Sequence, residues 1–353
     1  MSAGLAYVDG FRDPDAARAL SRRLRALGED LPARERPFTV MEVCGSHTMA
    51  IARYGLRQML PDRVRLVSGP GCPVCVTPPG YIDAAIELAE RGCTVATFGD
   101  MVQVPGSERT LADARAAGAR VVVCYSPLDA LALAREDPQR DVVFLAIGFE
   151  TTIAPVASLI PLAEREGLRN LSLLTAFKTI PPALRALLDD PRPGVDAFLC
   201  PAHVSAIIGA RAYEPFAGQG GVPCVIAGFE PLDILLGVEG VVRQWLAGES
   251  RVENQYERVV RSEGNGKARE LMERHLEPSD EAWRGMGVLP GSGLALRRDH
   301  GSWDAAARHG IEVRPGREYP GCRCGDVIGG RLHPTECPLF GRACTPDSPV
   351  GPC

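Results

Sequence analysis

The sequence predicts an α/β protein built on parallel β-sheets. Short, nearly continuous apolar runs recur along the chain, and stretches with helical character fill the gaps between them. Continuous apolar strands that alternate with helices are typical of parallel sheets covered on both faces. Their starts are roughly 25–30 residues apart, the length of a strand–helix unit. The runs cover residues 38–43, 64–67, 94–98, 120–124, 142–147, 171–175, 196–199 and 222–227.

These runs predict two Rossmann-like domains rather than one eight-stranded barrel. The similar motifs Ile147-Gly148-Phe149-Glu150 and Ala227-Gly228-Phe229-Glu230 are not spaced as evenly as barrel repeats would be. The predicted boundaries are residues 1–135 for the first α/β domain and 136–245 for the second. Residues 246–353 then form a C-terminal helix and a cysteine-rich region.

The helical segments follow from caps and periodicity. Residues 13–30 predict a helix that Asp13 caps, with Pro14 in its first turn. Further helices are expected at Tyr81 to Arg91 and at Leu111 to Ala117. Val252 to His275 predicts an amphipathic helix interrupted near Gly264, and short strands and turns follow over 287–315.

Composition and charge exclude several classes of protein. A hydrophobic content of 45% and a charged content of 24% are ordinary for a globular protein. The net charge of −5 and the lack of a Lys/Arg run argue against nucleic-acid binding. No apolar stretch is long enough to span a membrane, and Met1 to Gly10 has no signal-peptide core, so we expect a cytoplasmic location. Twelve cysteines in that compartment indicate metal or redox chemistry rather than structural disulfides.

The most informative stretch is the loop that follows the second apolar run and carries Cys72 and Cys75. Gly69 and Gly71 permit a tight exit from the strand, while Pro70 and other prolines stiffen the loop. A Cys-x-x-Cys pair on such a loop binds a soft metal or exchanges electrons as a dithiol. The structural alternative is two packed cysteines in a turn.

Other chemically distinctive residues follow the strands, where ligands bind in parallel α/β sheets. Cys44 follows the first strand, and with Cys72 and Cys75 it makes three thiols, a set suited to a soft transition metal with an open coordination position. His47 is a candidate fourth ligand or proton donor, or else a helix cap. The other strand-end candidates are Asp100, Glu150, Lys178 and His203.

These candidates have both functional and structural interpretations. Asp100, Glu150 and His203 can orient a bound ligand, or each can cap a helix or hydrogen-bond a loop. Lys178 can face an anion, or it can be solvated. Four strand cysteines are interpreted as small buried hydrophobes, although Cys200 also neighbours His203. They are Cys93, Cys124, Cys200 and Cys224.

The last segment is rich in Gly, Pro and Cys and cannot build a core of its own, so we expect a metal cluster to hold it. Irregular spacing and Cys-Pro junctions favour a [4Fe–4S] cluster over zinc, although a zinc site stays open. Five thiols exceed four ligands, so one can be a redox partner. They are Cys322, Cys324, Cys337, Cys344 and Cys353.

Together these motifs resemble the HypD family of [NiFe]-hydrogenase maturation proteins. The matching segments span nearly the whole chain in the family's order. They are Cys44-Gly45-Ser46-His47-Thr48, Gly69-Pro70-Gly71-Cys72-Pro73-Val74-Cys75, Gly148-Phe149-Glu150-Thr151-Thr152, Pro201-Ala202-His203-Val204-Ser205 and the tail from Tyr319 to Cys353.

The resemblance implies two α/β domains, a C-terminal iron–sulfur region and a scaffold for assembly of the Fe(CN)₂CO unit. It implies that Cys44, Cys72 and Cys75 hold Fe(II), with a cysteine of the small chaperone HypC as a further ligand. It also implies that HypE, working with HypF, donates cyanide, and that the hydrogenase large-subunit precursor is served indirectly. The family commonly carries a further cysteine after the Gly-Pro-Cys motif, so the choice of cluster ligands stays open.

Two rival functions belong to other classes. A cluster-dependent thiol–disulfide oxidoreductase would use Cys72 and Cys75 and would need no third thiol. A structural metalloprotein would hold zinc in its tail. Cyanide and carbon monoxide favour low-spin Fe(II), for which soft thiolates are suitable partners, and polar groups such as Glu150 and His203 can hydrogen-bond cyanide nitrogens.

Overall fold

A computed structural model describes residues 8–191, 194–345 and 348–351. These described residues form eleven strands, numbered in chain order. The strands are β1 Phe38–Glu42, β2 Val64–Ser68, β3 Thr94–Phe98, β4 Val121–Cys124, β5 Val142–Gly148, β6 Leu171–Lys178, β7 Ala197–Pro201, β8 Cys224–Ala227, β9 Val252–Asn254, β10 Leu276–Trp283 and β11 Gly287–Leu296.

The same residues form thirteen α-helices. They are α1 Pro14–Asp30, α2 Gly45–Arg53, α3 Pro79–Glu90, α4 Leu111–Ala116, α5 Leu128–Glu136, α6 Glu150–Ala157, α7 Leu159–Glu166, α8 Ile180–Asp189, α9 Ala202–Ile208, α10 Pro231–Leu246, α11 Gly266–His275, α12 Ala305–His309 and α13 Cys324–Ile328. Short 3₁₀ helices cover Asp9–Phe11, Leu56–Met59, Gly99–Met101, Ala210–Phe216, Arg298–Trp303 and Pro334–Glu336.

The strands make two sheets, which confirms the predicted α/β class. The first has the order β2-β1-β7-β8-β9, and all its pairs are parallel. The second has the order β10-β11-β6-β5-β3-β4, with β3 to β6 parallel and the β10–β11 hairpin antiparallel at one edge. Every residue of β5 and β7 is buried, as expected for strands covered on both faces.

The described residues divide into two compact units, and neither is one continuous segment. The first unit is drawn from residues 1–72, 184–266 and 328–331, and the second from 73–183, 267–327 and 332–353. The prediction placed continuous domains at 1–135, 136–245 and 246–353. The units differ because β7 and β8 join β1 in the first sheet, while β3 and β4 join β5 in the second.

Each unit has its own apolar core. In the first, Leu24 of α1 and Val238 of α10 pack with Val40 of β1. In the second, Ile82 of α3 packs with strand residues such as Val95 and Val143. Asp13 caps α1 as predicted, because its Oδ1 accepts hydrogen bonds from two N–H groups of the first turn.

The structure corrects the prediction of one amphipathic helix over Val252 to His275. Val252–Asn254 is strand β9, which pairs in parallel with β8, and the helix covers only Gly266–His275. The open edge of β8 offers backbone groups that β9 satisfies, so sheet pairing overrides the helical periodicity. No helix among the described residues is both long and apolar enough to cross a bilayer.

Candidate functional site

Cys44 stands where β1 ends and α2 begins, in the first unit. Its backbone is extended, with φ −156° and ψ 123°, and it occupies the cap position of α2. The N–H of Gly45 donates to the carbonyl oxygen of Gly71 at 3.0 Å, which ties this turn to the loop that follows β2. A Cβ on Gly71 would lie 2.3 Å from the backbone nitrogen of Cys44, so only glycine fits there.

The same contact brings Cys72 towards Cys44. A Cβ added to Gly45 would lie 4.0 Å from Cβ of Cys72. Because β1 and β2 are neighbouring parallel strands, their carboxyl ends meet at one edge of the first sheet. Two of the three thiols selected from the sequence therefore lie at the same edge.

The Cys44 thiol is buried, and burial raises its pKa. The N–H groups of Ser46 and His47, at the start of α2, act in the opposite direction by stabilising the thiolate. The net effect keeps this thiol protonated at neutral pH when no cation is bound. A metal ion that binds Cys44 must therefore displace its proton.

Glu42 is a site residue that the sequence analysis missed. It is fully buried, and its Oε2 accepts a hydrogen bond from the N–H of Cys44 at 3.1 Å, while Oε1 accepts one from the hydroxyl of Thr48. Burial raises the pKa of Glu42 to about 7, against the hydrogen bonds from Ser68 and Thr48. The available signal was a carboxyl group inside an otherwise apolar strand, two residues before the cysteine.

His47 is fully buried in the first unit. Its Nε2 lies 3.1 Å from the carbonyl oxygen of Ala227 and 2.9 Å from that of Gly228. Carbonyl oxygens only accept, so Nε2 carries the proton, and Nδ1 has no hydrogen-bond partner within the described part of the chain. Burial lowers the pKa of His47 to about 4, so the ring is neutral at physiological pH. It bridges α2 to the end of β8.

His203 and His47 meet at one aromatic ring. The centroid of Phe229 lies 4.9 Å from that of His47 and 4.3 Å from that of His203. His203 is exposed, at the second position of α9. Phe229 belongs to the second Gly-Phe-Glu motif, which the sequence analysis noticed only as an internal likeness.

Cys75 belongs to the second unit and is half-buried. The turn around it is held by the hydroxyl of Thr77, which donates to the carbonyl oxygen of Pro73 at 2.8 Å. The next residue, Val76, accepts a hydrogen bond from the backbone N–H of Arg284 at 2.7 Å. The segment after Cys75 is therefore fixed to the turn between β10 and β11.

Glu150 and Lys178 are both buried in the second unit, after β5 and at the end of β6. Oε1 of Glu150 accepts from the N–H of Ile180 at 3.0 Å, while Oε2 has no hydrogen-bond partner among the residues that the structure describes. Burial raises the pKa of this carboxyl group to about 7. Nζ of Lys178 lies 3.6 Å from Oε1 of Glu281, and burial lowers its pKa. The solvated alternative for Lys178 is therefore wrong. Asp100 is exposed in the turn after β3.

Three of the tail cysteines lie close to the last described residues. A Cβ on Gly351 would lie 2.6 Å from Sγ of Cys324 and 2.8 Å from Sγ of Cys322. The N–H of Val350 donates to Sγ of Cys344 at 3.4 Å. Cys337 is buried in the same unit, and Cys353 lies outside the described residues. Within the described ranges, no three Cys, His, Asp or Glu side chains are grouped so that they could hold a metal ion.

The four strand cysteines are buried, as predicted for small hydrophobes. Cys200 and Cys224 lie on the neighbouring strands β7 and β8, where burial raises the pKa of Cys200 and the Cys224 thiol raises it further.

Comparison with known proteins places the chain in one family. Residues 15–353 match the HypD model, described as the hydrogenase formation hypA family. The hydrogenase maturation factor HypD of Azotobacter vinelandii is 48% identical over 98% of this chain and 93% of its own length. The factor of the same name from Escherichia coli is 43% identical, with the same shares covered. The hydrogenase expression/formation protein HupD of Azotobacter chroococcum is 47% identical, again over 98% and 93%. The chain therefore belongs to the HypD family of hydrogenase maturation factors.

Proposed function

We propose that this chain is a cytoplasmic scaffold on which Fe(II) receives its cyanide and carbon monoxide ligands before delivery to a hydrogenase. Cys44, Cys72 and Cys75 would bind the iron, which is cargo rather than a resident cofactor. The observation that carries the proposal is the close approach of the Cys44 turn to the Gly71–Cys72 loop. Thiolates are soft, electron-rich ligands suited to low-spin iron.

The proposal is supported by hydrogen bonds that fix the Cys44 turn and the start of the Cys72 loop in the first unit. The Gly45–Gly71 hydrogen bond fixes the turn after β1, and Glu42 holds the N–H of Cys44 from behind. Cys75 follows Cys72 by three residues on a turn closed by its own hydrogen bonds. A preformed set of ligands loses less conformational entropy when it binds its ion.

Glu150 has a chemical property that suits cyanide. Its pKa of about 7 keeps a proton on much of the population at neutral pH, and Oε2 has no hydrogen-bond partner in the described ranges. A protonated carboxyl group donates a hydrogen bond, and the nitrogen of an iron-bound cyanide accepts one. We infer that Glu150 acts as such a donor, with His203 as a second candidate.

We propose that the tail binds a [4Fe–4S] cluster, and the placement of three of its cysteines supports this. Cys322 and Cys324 crowd against Gly351, and Cys344 contacts Val350, so three soft donors lie along two consecutive residues. Cys337 and Cys353 complete the candidate ligands. When bound, such a cluster would supply single electrons.

Partner binding is part of the proposal. We propose that a HypC-type chaperone docks beside α2 and supplies a further cysteine to the iron, and that HypE, with HypF, delivers cyanide. Met49 supports the docking surface, because it is on the Cys44 helix and 70% exposed. Methionines are frequent at adaptable protein-binding surfaces.

The rival function is a thiol–disulfide oxidoreductase that uses Cys72 and Cys75. Reduction of that disulfide to two thiols takes two electrons, which the cluster would pass one at a time from an external reductant, and two protons, which solvent water would supply. This function has no need for Cys44. The position of Cys44 at the cap of α2, next to Gly71, favours the three-thiol scaffold.

Infrared spectroscopy of the anaerobically purified complex with the HypC-type partner tests the scaffold. We expect cyanide and carbonyl stretches in the wild-type complex and their loss in Cys44→Ala, with tail iron and sulfide unchanged. Cys224→Ala removes a buried thiol of the same unit and should retain the bands. Bands that persist in Cys44→Ala, together with normal hydrogenase maturation, would refute the three-thiol site.

A further inference from the structure

Arg284 is a buried cation with donors that the described residues leave unused. It lies in the turn between β10 and β11 and is 3% exposed. Its Nη2 donates to the carbonyl oxygen of Val350 at 3.4 Å, a long hydrogen bond. Nε and Nη1 are buried and have no hydrogen-bond partner among the described residues. A buried guanidinium costs several kcal/mol unless an anion offsets its desolvation.

The backbone around Arg284 is fixed against the tail. Gly285 has φ +76°, and a Cβ there would lie 2.5 Å from Cα of Gly325, the residue after Cys324. A Cβ on Gly325 would in turn meet the carbonyl oxygen of Gly285 at 2.6 Å. Two glycines thus allow the hairpin turn to lie directly on the Cys322–Gly325 segment.

The other side of the turn reaches the Cys75 loop. The N–H of Arg284 donates to the carbonyl oxygen of Val76, as described above. One residue therefore contacts the segment after Cys75 and the segment before Gly351. Its backbone N–H has a hydrogen-bond partner, whereas its side chain faces no anionic group among the described residues.

The nearby thiols are the groups that can supply that anion. Val350, whose carbonyl oxygen accepts from Arg284, donates its own N–H to Sγ of Cys344. A Cβ on the next residue, Gly351, would lie within 2.8 Å of Sγ of both Cys322 and Cys324. A cluster bound by cysteine thiolates is negatively charged, and its sulfur atoms accept hydrogen bonds. A guanidinium presents its donors in a fixed fork, which suits an anionic group of this kind.

We propose that Arg284 is a positioning residue for the tail cluster, and this inference rests on the cluster proposed above. Its Nε–H and Nη1–H donate to anionic sulfur, and its charge stabilises the reduced state. Reduction adds one electron to the cluster without a proton, so the reduced state is more negative by one charge. Arg284 therefore raises the reduction potential.

The test is a potentiometric titration of the full chain, purified anaerobically and followed by electron paramagnetic resonance. Arg284→Gln should shift the one-electron reduction equilibrium about tenfold towards the oxidised cluster, a potential about 59 mV lower. Arg284→Lys keeps the charge and should recover most of the shift. Arg342→Gln removes an exposed tail arginine, whose charge water screens, and should change the equilibrium less than twofold.

The outcomes separate this inference from the cluster itself. A wild-type chain without a cluster overturns both. A wild-type cluster whose potential is unchanged in Arg284→Gln overturns only the role of Arg284. Loss of the cluster in Gln but not in Lys supports the need for charge at this position. Loss in both variants overturns it, because the residue would then act through packing.

Discussion

Replacing Glu150 by Gln should remove a large part of the pH dependence of unfolding in the second unit. Gln keeps an oxygen that can accept from the N–H of Ile180, as Oε1 does now at 3.0 Å, and it cannot ionise. The native carboxyl group has its pKa raised by burial from 4.5 to about 7. An ionised Glu150 is therefore disfavoured in the folded chain relative to the unfolded one.

The sign and size follow from linkage. Below pH 4.5 the carboxyl group is protonated in both states and has no effect on the pH dependence of unfolding. Between pH 4.5 and pH 7 the unfolded state releases the proton first, so the free energy of unfolding falls as pH rises. A shift of about 2.5 units at 1.36 kcal/mol per unit corresponds to about 3 kcal/mol. Above pH 7 this loss is complete.

Tryptophan fluorescence isolates the second unit. The chain has three tryptophans, and a Trp245→Phe background leaves only Trp283 and Trp303, which both belong to that unit. Trp283 stacks on Phe149, the neighbour of Glu150. Urea unfolding at pH 4 and pH 8 then gives the free energy of unfolding with and without the carboxyl group.

We expect the free energy of unfolding of Glu150→Gln, measured relative to that of the wild type, to increase by about 3 kcal/mol between pH 4 and pH 8. Glu166→Gln is the control in the same unit. Arg135 lowers the pKa of the exposed Glu166 carboxyl group. Replacing Glu166 by Gln should therefore not reduce the loss of unfolding free energy that the wild type shows above pH 4.5. A Glu150→Gln difference that stays constant with pH would show that the group is not held protonated.

Three further changes test the remaining geometry. Gly71→Ala would place Cβ 2.3 Å from the backbone nitrogen of Cys44, so urea unfolding should show a loss of about 1–3 kcal/mol. His47→Phe removes the N–H that two carbonyl oxygens accept, which should cost about 1–3 kcal/mol at pH 8. The cost should be smaller at pH 6, because there the unfolded state of the wild type takes up a proton that the buried ring, with its pKa lowered to about 4, does not. Gly351→Ala would place Cβ 2.6 Å from Sγ of Cys324, and iron and sulfide analysis should show cluster loss; a full complement would contradict that packing.

The sequence predicted the elements of the fold better than their assembly. All eight apolar runs are strands, because burial on both faces requires a continuous apolar stretch. The partners of β7 and β8 were not predictable in the same way. Their pairing with β1 joins residues more than 150 positions apart, and no local pattern encodes such a distant contact. Segment 252–275 shows the same limit, since a free strand edge decided its conformation.

The same limit applies to the residues of the candidate site. Cys44 and Cys72 were selected because they follow consecutive strands, and β1 and β2 do pair in parallel register. The orientation of His47 towards Ala227 and Gly228 depends on β8, far along the chain, and was not foreseen. Residues that follow a strand are readable from sequence, whereas their hydrogen-bond partners depend on the sheet order.

A charged residue inside an apolar strand can be read from the sequence and indicates a buried ionisable group, although the overall composition does not show it. Glu42 ends a five-residue strand that is buried throughout, and Lys178 ends β6 with its ammonium group fully buried. An unsatisfied ionic group inside a protein costs several kcal/mol, so such residues persist where they hold a backbone or face a ligand. Glu42 holds the Cys44 turn within the first unit. Arg284 makes one long hydrogen bond to the carbonyl oxygen of Val350, while its Nε and Nη1 have no partner among the described residues, so an anion bound in the tail would offset its burial.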